Sequence, residues 1–296
     1  MKRSRKPARK RPSMAERADP HALYQKSVQS PDFDVPFFAE YVENYTGRPL
    51  RSLREDFCGT AALSTYFVTQ HSENHAIAID LDWPTLNWGI KHNVSPLTVD
   101  QQSRLTLIHG NVLDAHPSHV QLAMALNFSY MVFKDRSTLL QYFKRAKESL
   151  QPGGIFLLDI WGGSESQVLQ EESRDIDNPD NDGIGNFSFI WDQDAFDPAT
   201  YFCTMRMHFT FQDGSEMRNA FVYDWRMWTM PEVMELMNEA GFRDVHFLWE
   251  GTNKRTNEGT GIYHPTNTTR KTGNLIRHGS RISLVSSRTN INLLKK

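Results

Sequence analysis

The chain has 296 residues, 39% hydrophobic, 11% aromatic and 23% charged, enough for one large core or two modest ones. Every apolar run falls short of the ~18 residues of a membrane helix, no apolar signal-peptide segment follows the basic N-terminus, and Cys58 and Cys203 are too few for a disulfide framework or a four-thiolate zinc site. A soluble, cytoplasmic protein without a membrane partner is expected.

The formal charge of −2 hides an asymmetry. Residues 1–17 hold 8 Lys/Arg and one acid, residues 251–296 hold 9 and one, and residues 18–250 are left with 16 basic and 33 acidic groups, a charge of −17. So acidic a body repels a phosphate backbone. The basic arms suit RNA, a nuclear signal in a host with a nucleus, or a solvated disordered segment.

In chain order, residues 1–20 read as a basic disordered arm. From His21, the apolar positions Leu23, Tyr24, Val28, Phe33, Phe38 and Val42 predict one or two short helices. A weak strand leads to Phe57, and Leu63, Phe67 and Gln70 share a face of a helix over 61–70. Residues 76–79 form a buried strand ending on Asp80. Pro84 suits a first helical turn with Leu86 and Ile90 following, and residues 104–109 alternate as a strand. Residues 121–128 are another strand. Leu139, Phe143, Ala146 and Leu150 make a helix stripe closed by Pro152-Gly153-Gly154, and 155–160 is the next strand. This alternation predicts an α/β protein with a parallel sheet covered on both faces.

Residues 164–198 carry ten Asp/Glu against one Arg and read as a long loop or lid. Residues 202–211 and 216–225 alternate around Asp213-Gly214, predicting an antiparallel hairpin. Thr229-Met230-Pro231-Glu232 is a capping box whose helix runs to Gly241, and 245–249 is a final strand. The polar, basic tail 251–296 predicts little fixed structure. His71 and His75 lack a third ligand nearby, His116 and His119 flank Pro117 in a loop, and Cys203 falls on an alternating strand as a core residue. No metal is expected.

In an open parallel sheet, ligands bind at the carboxyl ends of the strands. Four such ends carry distinctive residues: Glu55 through Ala61, Asp80, Gly110-Asn111-Val112 and Asn127-Phe128-Ser129-Tyr130. Each alone is weak; the four in this order and spacing are stronger. A small-residue turn admits a ligand to backbone amides, and an acid at the second strand end accepts ribose hydroxyls. A nicotinamide site needs G-x-G-x-x-G in the first turn, where only Gly59 stands between Cys58 and Thr60. Glu55 suits a cationic ligand with an amino group better than a diphosphate, which points to S-adenosylmethionine.

Residues 50–163 resemble a class I S-adenosylmethionine-dependent methyltransferase. Leu53 through Ala61, Asp80-Leu81-Asp82, Ala125 through Tyr130, Trp191-Asp192-Gln193 and Tyr223 through Thr229 are similar to one branch of that family, over about His21 to Pro265. The resemblance implies a Rossmann-like, mostly parallel seven-stranded sheet with helices on both faces, and a hairpin insertion and lid after the fifth strand. A methyltransferase domain over 21–250 would divide into a cofactor half (50–163), lid and hairpin (164–228) and closing helix and strand (229–250). It also implies that the turn with Glu55, Phe57, Cys58, Gly59 and Thr60 wraps the methionine end of the cofactor. Asp80 would hold the ribose, Leu81, Asn111 and Val112 would meet the adenine, and Asn127 and Phe128 would lie under the sulfonium. Phe57 and Ala61 stand where the family commonly has glycine, and Asn111 where Asp is usual.

The family's chemistry is an in-line displacement for which the protein supplies alignment, desolvation and sometimes a base. Tyr24, Gln29, Tyr130 and Trp191 are the candidates to project over the methyl group, with Tyr24 as base or orienter. A small-molecule acceptor is expected, and the acidic 165–197 region would draw a cationic one such as an amine. The alternatives are a protein or RNA methyltransferase recruited through the basic arms, and a non-catalytic module with the same fold.

Overall fold

The computed structural model describes residues 11–114, 118–161, 166–180, 183–252, 259–266 and 282–287. The basic cluster over 1–10, His116 with Pro117, and the start of the expected lid at 164–165 lie outside the described residues.

Three helices precede the main sheet: α1 (Met14–Arg17), α2 (Pro20–Val28) and α3 (Pro31–Thr46). The capping box of Ser13 and Glu16 starts α1 inside the arm predicted to be disordered. The backbone amides of Met14 and Ala15 donate to Asp213 Oδ2 (2.8 Å) and Ser215 Oγ (3.0 Å), which ties α1 to a distant hairpin turn. Asp19 caps α2, and Pro20 opens it.

The α/β alternation then follows: β1 (Ser52–Asp56), α4 (Ala62–Gln70), β2 (His75–Asp80), α5 (Trp83–Gly89) running into a π-helical turn, α6 (Val99–Ser103), β3 (Leu105–His109), β4 (Val120–Ala125), α7 (Arg136–Glu148) and β5 (Leu150–Ile160). These five strands pair in parallel, with β1 between β2 and β4, so the chain reverses its direction of sheet growth beside β1. That reversal opens a crevice at the β1 and β4 carboxyl ends. The helix α7 buries Leu139, Tyr142, Phe143 and Ala146 against the sheet. It stops at Glu148, and Leu150, predicted on the helix stripe, opens β5 instead.

Past β5 lie β6 (Gln170–Ile176), β7 (Phe187–Phe196), β8 (Phe202–Phe211), β9 (Glu216–Arg226), α8 (Met230–Glu239), β10 (Arg243–Thr252), β11 (Gly259–Thr266) and β12 (Ile282–Ser287). The predicted hairpin is β8–β9, turning at Gly214 with φ +76°. Two expectations are corrected. The acidic stretch read as a loop or lid contains β6 and β7, which complete a four-stranded antiparallel sheet in the order β6-β7-β8-β9. Phe187 and Phe189 oppose Phe211 and Phe209 in that sheet, while the acids fall largely on exposed or half-buried positions and mask the alternation. The tail read as unstructured supplies β11 and β12. Its strand β12 enters the main sheet antiparallel between β5 and β10, giving eight strands in place of seven among the described residues, in the order β11-β10-β12-β5-β4-β1-β2-β3.

One face of the small sheet packs on α2 through Leu23, Phe187, Phe209 and Phe211. Cys203, Met205, Trp225 and Trp228 extend the main core instead, between the small sheet and α7–α8. No helix among the described residues is long and apolar enough to cross a membrane.

Candidate functional site

After β1 the chain makes a tight turn in which Phe57, Gly59 and Ala61 all take left-handed backbone angles, φ +57°, +55° and +56°. For residues with a Cβ this costs roughly 1–2 kcal/mol each, so the surroundings must impose the shape. Cys58 donates its amide to Ile79 O (3.0 Å), and Gly59 donates to Asp80 Oδ2 (2.6 Å). Asn93 Nδ2 donates to Thr60 O (2.8 Å). A Cβ on Gly89 would lie 2.2 Å from the same Thr60 oxygen, so α5 approaches the turn as closely as only glycine permits. From above, Gln25 Nε2 of α2 donates to Thr60 Oγ1 at 2.6 Å.

Carboxylates surround this turn. Glu55 is 5% exposed and accepts from Ser64 through both its amide (3.1 Å) and its hydroxyl (2.5 Å). Burial raises its pKa from 4.5 to about 7, and the neighbouring charges of Asp80 and Asp34 push the same way. Burial likewise raises Asp80, which also takes the amide of Asp82 (2.8 Å). Asp56 faces the core, accepting from Arg54 Nε (2.7 Å) and the Tyr142 hydroxyl (2.9 Å). The Cys58 thiol is driven well above its ordinary pKa by burial, so it stays neutral.

At the end of β4, Asn127 and Phe128 are both left-handed, φ +55° and +58°. Their amides donate to the two carboxylate oxygens of Asp159 at the end of β5, each at 2.8 Å. One carboxylate thus fixes a strained pair of residues at the site.

Two cavities meet here. A cleft of about 450 Å³ brings together Glu55, Phe57, Cys58, Gly59, Thr60, Asp80, Leu81, Asn111, Val112 and Asn127, with Gln29 and Tyr24 at its α2 side. Phe128 belongs to the second cavity, about 380 Å³, with Trp191, Trp161 and Asp159. Tyr24, Asn127, Tyr223 and Trp225 line both and form the wall between them. Asn111 turns its side-chain oxygen to the Leu113 amide (3.0 Å). Tyr130 is the exception: it is fully buried beside Phe143 and lines neither cavity, because the 3₁₀ turn over Ser129–Val132 rotates it into the core.

Sequence reasoning missed Asp159, Trp161, Tyr223 and Trp225 as site residues. Asp159 and Trp161 end a strand, the signal used elsewhere, and Tyr223 and Trp225 share a parity on an alternating strand. Among the described residues, no group of three or more His, Cys, Asp or Glu is placed to hold a metal ion.

The buried Glu55 carboxylate, the tight turn at Gly59 and the Asp80 carboxylate fit a ligand with a cationic head and a ribose, as S-adenosylmethionine has. No protein-family model matches the sequence, and no curated protein matches it. Solved structures do. A S-adenosylmethionine-dependent methyltransferase of Clostridium acetobutylicum is similar over 90% of this chain and 96% of its own, at 16% identity and TM-score 0.60. An amino pentose methyltransferase of Micromonospora echinaspora involved in calicheamicin biosynthesis, with S-adenosylmethionine bound, is similar over 90% and 95%, at 14% identity and TM-score 0.62. A sugar N-methyltransferase of a Streptoalloteichus species covers 92% and 93%, at 13% identity and TM-score 0.61. The chain therefore has the fold of class I S-adenosylmethionine-dependent methyltransferases.

Proposed function

We propose that this protein is an S-adenosylmethionine-dependent methyltransferase acting on a small-molecule acceptor. The observation that carries the reading is Glu55: a buried carboxylate, with a pKa raised to about 7, lining a cleft beside the tight Phe57–Ala61 turn. A cationic amino group in that cleft would restore its charge. Glu55 and the Cys58–Thr60 backbone would hold the methionine end, Asp80 the ribose hydroxyls, Leu81, Asn111 and Val112 the adenine, and Asn127 with Phe128 the sulfonium region. When bound, S-adenosylmethionine supplies a methyl group on a positively charged sulfur, already activated for displacement.

The protein's own contribution is then alignment and exclusion of water. Tyr24 stands in the wall between the cavities, hydrogen-bonded to Tyr223, in the position of an orienting group. Gln29 lies on the donor side and Trp191 on the acceptor side. The solved neighbours whose names mention an amino pentose or a sugar support an acceptor of small-molecule size.

Calorimetric titration with S-adenosylmethionine and S-adenosylhomocysteine tests the reading. Saturable binding is expected, weakened by about 1–3 kcal/mol in Asp80→Ala, the scale of a lost hydrogen bond to a charged group. Absence of binding of both ligands to the wild-type protein overturns it.

A further inference from the structure

The second cavity is walled by seven aromatic side chains from five separate places: Tyr24 on α2, Phe128 after β4, Trp161 after β5, Phe189 and Trp191 on β7, and Tyr223 and Trp225 on β9. Their rings touch in sequence. Phe128 and Trp161 are 5.8 Å apart centre to centre, Trp161 and Trp191 6.1 Å, Trp191 and Trp225 6.3 Å, and Trp225 stacks on Tyr223 at 4.5 Å. An apolar core built from such rings would close up; here they surround about 380 Å³.

The charges at the cavity are Asp159, 1% exposed, Glu172 on β6, and Arg174 on β6. Arg174 is turned to the carbonyl of Ser27 and lies 5.7 Å from the Phe189 ring. The indole N–H groups of Trp161 and Trp191 are buried and have no partner among the described residues.

We infer that this pocket binds a small alkylammonium group, so that the methyl acceptor is an amine. The inference rests on the methyltransferase reading only for the word acceptor; the cation site stands on the cavity itself. Aromatic faces attract a cation through their quadrupole without the desolvation a fixed ion pair demands. To accept the methyl group the bound ammonium would first release a proton to solvent; its nitrogen lone pair would then form the N–CH3 bond as the S–CH3 bond breaks and S-adenosylhomocysteine leaves, and the methylated product would depart as a cation whose charge the rings favour without trapping it.

Three probes of one shape and different charge separate the possibilities: choline, its neutral isostere 3,3-dimethyl-1-butanol, and the anion 3,3-dimethylbutanoate. Each is titrated into the full-length protein, with tryptophan fluorescence and calorimetry as readouts and no turnover required. Choline is expected to bind saturably and about tenfold or more tighter than the neutral isostere. Trp191→Leu removes that preference. Trp161→Phe, which keeps an aromatic face in the wall, retains the cation preference. Equal binding of choline and the alcohol overturns the inference, as does tighter binding of the anion, which would give the pocket to Arg174. Failure of choline to bind a protein that does bind S-adenosylhomocysteine defeats the amine pocket alone. Choline binding without S-adenosylhomocysteine binding defeats the methyltransferase reading alone. A Trp191 variant that does not fold leaves the comparison of the three probes on wild-type protein to decide.

Discussion

The cleft proposed for the methyl donor is lined by carboxylates and a turn of strained backbone, whereas the pocket across the Tyr24–Tyr223 wall is lined by aromatic rings. The first is built from short stretches at the ends of adjacent parallel strands, held in strained backbone shapes by hydrogen bonds from the ends of neighbouring strands. The second gathers one or two side chains from each of five places. The contrast teaches that a polar site at strand ends holds strained backbone through single hydrogen bonds from the carboxylate that ends the adjacent strand. An aromatic pocket depends on distant elements packing correctly and carries its selectivity in ring faces.

The largest expected effect lies beneath the donor cleft. Arg54 and Asp56 form an ion pair with no side-chain exposure on either partner. Arg54→Leu leaves the Asp56 carboxylate in the core without its guanidinium, at a cost of about 3–5 kcal/mol. Urea unfolding should show that loss, and an unchanged midpoint would mean the pair does not organise β1. Next comes Gly89→Ala, whose methyl group collides with the Thr60 carbonyl. Overpacking of this kind costs about 1–3 kcal/mol. Affinity for S-adenosylhomocysteine should fall while choline binding in the other pocket holds; parallel loss of both would show that the cavities are not independent.

Glu55 sharpens the comparison through pH. Its folded pKa of about 7 lies above the ordinary 4.5, so its contribution to stability is complete below pH 4.5 and is lost as the pH rises through 7. Ammonium binding needs the ionised form. Titration with S-adenosylmethionine near pH 6, in two buffers of different ionisation enthalpy, should therefore release close to one proton, and near pH 8.5 almost none. Glu55→Gln should abolish the release and flatten the stability profile between pH 4.5 and 7; proton release that persists in this variant assigns the titration elsewhere. The smallest effect is Ala61→Gly. Relief of a left-handed alanine gains roughly 1–2 kcal/mol and loss of its buried methyl costs about 0.8 kcal/mol. A net stabilisation of under about 1 kcal/mol is expected in chemical denaturation, and a loss would show that the methyl packing outweighs the strain.

The donor cleft was largely legible before the fold was known. Glu55, Asp80, Asn111 and Asn127 each end or directly follow a strand, and strand ends can be read from local hydrophobic runs. Tyr130 failed that reading. Its neighbour Phe128 begins a 3₁₀ turn, and one residue's change of direction puts the phenol in the core. The acidic stretch failed for another reason: ten acids over 164–198 dominate composition, while the phenylalanines that pair with β8 show only as a period of two.

Local sequence sets the parallel α/β half, the four strand ends that line one cleft, the β8–β9 hairpin and the capped α8, because each depends on residues within a few positions of one another. Only the tertiary fold sets the return of the polar tail as β12 against β5, the pinning of the Asn127–Phe128 turn by Asp159, and the lining of one pocket by seven aromatic rings from five places. Those contacts join residues tens to more than a hundred positions apart. Their partners are chosen by packing and by the need to pair buried strand edges and buried charges, which no local pattern records.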